Sequence, residues 1–283
     1  YLFRRLCAAV DRIMDEVSEE LKSSDFEPLA FELAFGADGQ LPAITIREKN
    51  GTARVVGKVD RVDGWLHNGK LYLRVVDYKT GKKSFDLAEL RYGLGLQMLL
   101  YLFTLKEEGR ALFGGQEIVP AGVLYTPARE PMLRCARDTA PEKIEKARKK
   151  ELRRSGMVLE DPAVLQAMEH SALTSPCYLP IAVKKDGAVT GSLASAEQLG
   201  KLSKYVDRLL HEITQEVFAG NIDADPYART PQLSACTYCE FASACHFENG
   251  CGSDRMEYIK ATKNDEFWQH IDEVNGKEAR SDG

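Results

Sequence analysis

Leu2, Leu6, Val10, Ile13, Val17 and Leu21 recur at spacings of three and four, which predicts an amphipathic helix over residues 2–21. Cys7 lies near that apolar face, where a buried free thiol is expected. Residues 29–35 and 44–46 read as short strands separated by Gly36-Ala37-Asp38-Gly39. Two longer runs, 53–66 and 70–79, are rich in β-branched and aromatic residues and flank Asn68-Gly69. Asn-Gly between two such runs signals a two-residue type I′ hairpin, so the sheet is expected to be mainly antiparallel. Nearly every position in 94–105 is apolar, which predicts a helix buried on most sides. Another strand over 118–125 stops at Pro127.

Beyond residue 127 the pattern changes. Residues 141–155 carry a dense set of Lys and Arg with few acids, suited either to a solvated helix face or to phosphate contacts. Residues 178–192 suggest a hairpin around Asp186-Gly187. Ser195 and Gln198 form a capping box for a long helix striped by Leu199, Leu202, Val206, Leu209, Ile213 and Val217, and Gly220 closes it. There is no internal repeat and no low-complexity linker. One domain of 1–283 is expected. Its core covers about 1–126, a helical and hairpin embellishment about 127–225, and a Cys-rich segment with a tail about 226–283.

The composition, 283 residues at 44% hydrophobic and 29% charged, is that of a globular chain able to bury a core. A net charge of −5 argues against a protein that coats nucleic acid, but not against a nuclease whose carboxylates are offset by metal. No apolar run approaches a membrane span and no signal peptide opens the chain. With cysteines unlike a secreted disulfide framework, a cytoplasmic location is expected. The chain starts without Met in what reads as mid-helix, suggesting a piece of something longer.

The candidate chemistry follows from the hairpin. An Asn68-Gly69 turn sets His67 opposite Lys70, and in step with it Asp60 opposite Asp77, with Cβ atoms roughly 5 Å apart. Two facing carboxylates repel unless they share a proton or a cation. Lys79 lies two residues past Asp77 and so shares its face. This is the composition of a divalent-metal site with a cationic neighbour. Asp63 falls opposite Arg74, an ordinary ion pair, which assigns Asp60 to the chemistry. Glu32 could face the same site, though a solvated strand residue is the expectation. Gln97 and Tyr101 interrupt the apolar helix at i and i+4, on one face. A core hydrogen bond or a DNA phosphate would satisfy them.

Cys236, Cys239 and Cys245 cluster tightly. A thioredoxin-like dithiol would open a helix after a strand, which this turn-like segment does not suggest. Unrelated buried thiols do not explain the spacing. Zinc is a rival, with Cys251 as a fourth thiolate, and an iron–sulfur cluster also wants thiolates.

Gly57 to Asp63, Asp77 to Gly81 and Gln97 to Tyr101 resemble the motifs of the RecB-type branch of the PD-(D/E)xK nucleases. Residues 86–101 and 236–247 are similar, more narrowly, to the AddB family of helicase–nuclease subunits, and the likeness runs along essentially the whole chain. The resemblance implies a mixed α/β sheet with a restriction-endonuclease-like core, a helical insertion and a C-terminal Cys-rich segment. It implies Mg²⁺-dependent DNA exonuclease activity, with Asp60, Asp77 and the Tyr78 carbonyl on the metal, Lys79 beside the nucleophile, and Gln97 and Tyr101 positioning the strand. It implies a 4Fe–4S cluster on Cys236, Cys239, Cys245 and one cysteine far upstream. The cluster would be incomplete in this chain alone, and the family's upstream metal-binding histidine has no match here. The implied partners are single-stranded DNA from an unwound duplex and an AddA-type subunit, with double-strand-end processing as the role. No ATP-binding G-x-x-x-x-G-K-[ST] occurs. Two rivals are a stand-alone Fe–S exonuclease of the CRISPR-adaptation type and a DNA-clamping module without catalysis.

Overall fold

The computed structural model describes residues 2–281. Its elements begin with α1 (Leu2–Lys22), β1 (Glu27–Phe35), β2 (Ile44–Glu48), β3 (Gly51–Val55), β4 (Gly57–His67) and β5 (Lys70–Lys79). Then come α2 (Leu87–Arg91), α3 (Gln97–Glu108), β6 (Glu117–Pro127), α4 (Pro141–Glu151), β7 (Ser155–Leu159) and α5 (Pro162–Met168). The strands β8 (Ile181–Val183), β9 (Val189–Gly191) and β10 (Leu193–Ala194) precede the long α6 (Ala196–Ala219). Short strands and a helix at Asn264–Ser281 complete the chain. Two compact units interleave along it: the chain up to Ile44 with Arg54–Phe85 and Gln97–Ser203, and Thr45–Ala53 with Asp86–Leu96 and the chain from Lys204 onward.

The first unit is built on a mixed sheet of order β1-β4-β5-β6-β7-β10. β1, β4 and β5 run antiparallel, β5 and β6 are parallel, and β6 and β7 are antiparallel. Asn68 and Gly69 both take positive φ, 51° and 76°, as a type I′ turn requires, and β4 pairs with β5 in the anticipated register. Val62, Leu73, Val75 and Val76 are completely buried, and α3 packs on β5 and β6 with Leu99, Leu102 and Leu105 in the core. Residues 44–46 do not join this sheet: β2 pairs with β3 as a separate hairpin. Gly57 opens β4 where a Cβ would lie 2.3 Å from the Tyr101 hydroxyl, so only glycine lets α3 approach there.

Among the described side chains of α1, the packed ones lie in its second half. Val17 and Glu20 are buried, whereas Leu6 and Val10 are more than half exposed. Cys7 is exposed as well, which corrects the expectation of a buried thiol: the apolar stripe around it meets no core.

In the second unit, Phe267 and Ile271 of the last helix are fully buried. The Tyr205 hydroxyl donates to the Arg91 carbonyl at 2.9 Å, and Arg229 pairs with both Asp86 and Glu89. The carboxylate of Glu48 meets Nδ1 of His211 at 2.6 Å. The capping box ahead of α6 forms as anticipated: Ser195 N donates to Gln198 Oε1 at 2.9 Å, and Gln198 N to Ser195 Oγ at 3.1 Å. Gly220, at φ 72°, follows its last turn.

Candidate active site

The strand period divides the β4–β5 hairpin into two chemically distinct faces. Asp60 on β4 and Asp77 with Lys79 on β5 share one; Arg61, Asp63, Arg74 and Tyr78 share the other. The regular ladder runs from His67↔Lys70 to Arg61↔Val76, one step short of the two aspartates. There the carboxylate takes over from the backbone. Asp60 Oδ2 accepts a hydrogen bond from the Tyr78 amide at 2.8 Å, which ties β4 to the peptide between Asp77 and Lys79.

Asp77 is buried, and Lys79 Nζ sits 2.6 Å from its Oδ2. Lys79 is thus the cation that engages Oδ2 of this buried carboxylate. Burial pushes the Asp77 carboxyl up, Lys79 pulls it back, and the Asp60 charge pushes it up again, leaving it above the usual aspartate range. A buried carboxylate raised by burial and facing the charge of a second carboxylate fits a divalent cation. Among the described residues no three His, Cys, Asp or Glu side chains converge, so the ligands these residues offer are two carboxylates and main-chain oxygen.

Next along the same face, Tyr125 of β6 pairs with Asp77 and with Ser155 of β7. The Lys79 ammonium lies 5.8 Å from the centre of the Tyr125 ring. Glu32 pairs with Lys58 at the exposed edge, consistent with a solvated strand residue.

Gln97 and Tyr101 do lie together on α3. The Tyr101 ring is buried and stacked on Phe35, and its hydroxyl accepts from the Lys58 amide at 3.3 Å and from Gln97 Nε2 at 3.1 Å. Of the two satisfactions open to a buried phenol, the internal hydrogen bond is the one present. Tyr101 thus fastens α3 two residues from Asp60, while Gln97 stays exposed.

The rear face holds a buried ionic chain that sequence reasoning reduced to one pair. Asp63 does face Arg74, with Nε–Oδ2 at 2.9 Å, but it also binds Arg61 at 2.8 Å. Arg61 donates to the Tyr78 hydroxyl. Arg74 continues to Glu20 of α1 at 3.6 Å, and Glu20 binds Arg154 at 2.6 Å. Tyr78 is therefore held from both sides, by Arg61 on its side chain and by Asp60 on its amide. Alternation could have paired Arg61 with Asp63; nothing local announced Glu20 or Arg154.

In the C-terminal segment Cys236 is half-buried, and Cys239, Cys245 and Cys251 are exposed. They do not converge into a metal-holding group among the described residues, so this arrangement does not fit a closed cluster.

The mixed sheet thus carries two aspartates and a lysine together on adjacent strands. A family model for the PD-(D/E)XK nuclease superfamily matches residues 1–246, and the chain belongs to that superfamily. It is similar to an ATP-dependent helicase/deoxyribonuclease subunit of Ruminiclostridium cellulolyticum, 33% identical over 277 residues, which is 97% of this chain and 24% of that protein. The corresponding helicase/deoxyribonuclease protein of Acetivibrio thermocellus is 36% identical over 267 residues, 93% of this chain and 23% of that protein. The chain spans about a quarter of the length of these curated relatives. No helix among the described residues is long and apolar enough to cross a membrane.

Proposed function

We propose that this chain is the nuclease domain of an ATP-dependent helicase/deoxyribonuclease subunit, and that it hydrolyses DNA phosphodiester bonds with Mg²⁺. The observation that carries this reading is the juxtaposition of Asp60, the Tyr78 peptide, buried Asp77 and Lys79 on one sheet face. Asp60, Asp77 and the Tyr78 carbonyl would hold the ion. Once bound, magnesium supplies Lewis acidity at the phosphoryl oxygen and acidifies a water molecule. Lys79 orients the attacking water and offsets the charge that builds on the phosphoryl group. Asp60 does two jobs, because its Oδ2 also fixes the Tyr78 peptide. Gln97 reaches solvent from a helix that Tyr101 anchors, and so positions the strand. In the longer protein the substrate is a single strand from an unwound duplex end, and the partner is an AddA-type subunit in the cytoplasm. There Cys236, Cys239 and Cys245 would have to draw together with a fourth thiolate to hold a 4Fe–4S cluster, which would then staple the C-terminal segment.

Cleavage of single-stranded DNA by the full-length subunit, with and without Mg²⁺, tests the reading. Asp77→Ala should remove the metal-dependent activity, and Lys79→Ala should lower it about 10²- to 10³-fold. Cleavage that persists in both variants would transfer the chemistry elsewhere, and an inert wild-type site would favour a DNA-clamping module.

A further inference from the structure

An open groove in the first unit starts at Lys79. Its inner part, about 380 Å³, is lined by Lys79, Lys82, Tyr125, Arg129, Arg153 and Ser155. Lys82, Arg129 and Glu151 pass from it into an outer part of about 910 Å³, formed between the 128–135 loop and α4. The outer rim carries Arg134, Lys143 and Lys150, and the last two stand seven residues, about two helical turns, apart on the same face of α4. Between them the lining is apolar: Leu133, Ile144 and Ala147. Met132 stands at its edge, 95% exposed.

Lys82 and Arg129 in this groove share a single loosely placed acid. Glu151 is 3.8 Å from both Lys82 and Arg129, and Glu130 is engaged by Arg12 at 2.9 Å. Arg129 is only 20% exposed, and its Nε finds no hydrogen-bond acceptor among the described residues. A half-buried guanidinium with an unused donor is a ready anion site. In a chain of net charge −5, such a concentration of positive charge along one path is not a consequence of composition.

We infer that the groove from Lys79 past Arg129 to the Lys143–Lys150 face of α4 binds single-stranded DNA adjoining the scissile phosphate. Phosphates would lie on Lys82, Arg129, Lys143 and Lys150, and base faces on Leu133, Ile144 and Ala147. A duplex keeps its base faces stacked inward, so only a single strand can offer them to an apolar floor. Among the described lining residues the guanidinium forks are Arg129, Arg134 and Arg153, and the other contacts fall on phosphates and base faces, so binding should tolerate any sequence. The inference rests on the nuclease reading for the role of the Lys79 end only.

The test is fluorescence anisotropy of a labelled oligothymidylate with this chain in EDTA, at rising KCl. Lys143→Gln/Lys150→Gln should bind several-fold more weakly, with a log–log salt slope smaller by roughly 1.4. Arg129→Gln should weaken binding further. Lys184→Gln/Lys185→Gln, in the β8–β9 turn, removes as much charge and should leave both quantities at wild-type values. Unchanged affinity and slope in the α4 double variant, or equal wild-type affinity for duplex, would overturn the inference. If the variants do not fold, an oligonucleotide carrying 4-thiothymidine can be crosslinked to the wild-type chain. Adducts within residues 128–150 support the groove, and adducts confined elsewhere refute it. Mg²⁺-dependent hydrolysis of bis(p-nitrophenyl) phosphate by the full-length wild-type subunit separates the two readings. Its failure would sink the nuclease assignment while the anisotropy result still stands.

Discussion

The carboxylate of Asp60 accepts the backbone amide of Tyr78 at 2.8 Å, where the regular β4–β5 ladder has ended. A side chain thus completes the hairpin at the point where the candidate metal ligands begin. Asp60→Asn keeps an oxygen for that amide and loses the charge. It should abolish Mg²⁺-dependent cleavage while the metal-free melting temperature stays near wild type. Asp60→Ala leaves the amide without its acceptor and should cost about 1 kcal/mol besides. Equal melting for the two variants would show that the hydrogen bond contributes nothing.

Asp77 is the converse case, a buried carboxylate beside a second one, with its ionised form disfavoured. Asp77→Asn relieves that repulsion and gives up the ion pair with Lys79, whose side chain is one-third exposed. Stability without metal is expected to hold or rise, and cleavage to disappear. Lys79→Ala should lower cleavage about 10²- to 10³-fold. Calorimetry in EDTA checks the first statement; a large destabilisation there would make Asp77 a structural residue.

Glu20 governs the acid limb of stability. Burial pushes its carboxyl up, but Arg154, Arg74 and Arg61 outweigh burial and hold it below the usual glutamate range. A folded value below the unfolded one gives stabilisation that is complete above the ordinary carboxylate range. That stabilisation is lost as pH falls through the folded value. Glu20→Gln would strand buried guanidiniums at a cost of about 3–5 kcal/mol and flatten the acid limb. Urea titrations between neutral and acidic pH measure both effects.

Tyr178 marks the alkaline side. Burial, with Glu16 nearby, pushes its phenol up to about 12, although the Arg154 guanidinium lies 4.9 Å from the ring centre. Its folded value exceeds the unfolded one, so its contribution is complete below the ordinary tyrosine range and fades as pH rises through about 12. Ultraviolet titration of tyrosinate should lose a late step in Tyr178→Phe. Loss of amplitude in the ordinary tyrosine range instead would place Tyr178 in ordinary solvent.

For the cysteines, the expected contrast is between the longer protein and this chain. The full-length subunit prepared without oxygen should show a visible charge-transfer band that Cys239→Ser removes. This chain alone should not assemble the cluster, since thiolate sites lose affinity steeply with a missing ligand. Stoichiometric zinc that survives air would replace iron–sulfur with a zinc site.

Local chemistry made much of the fold legible. Asn68-Gly69 dictated a turn with two positive φ values and, through the period of two, separated Asp60, Asp77 and Lys79 from Asp63 and Arg74. Ser195 and Gln198 marked a helix start, and the motifs around the hairpin indicated the superfamily. These features depend on neighbours a few residues apart, where sequence and geometry are tightly coupled. What depended on distant neighbours was decided only by the tertiary structure. Residues 44–46 look like any strand but pair with β3 outside the central sheet, because strand propensity does not choose a partner. The Tyr101 hydroxyl could have faced a ligand or the core; the approach of Gly57 and the Lys58 amide turned it inward. Glu20 and Arg154 are separated by 134 positions, and only burial on one side of the sheet makes them partners. The groove likewise depends on α4 returning beside the end of β6 to surround Arg129, a proximity set by packing and not by any residue pattern.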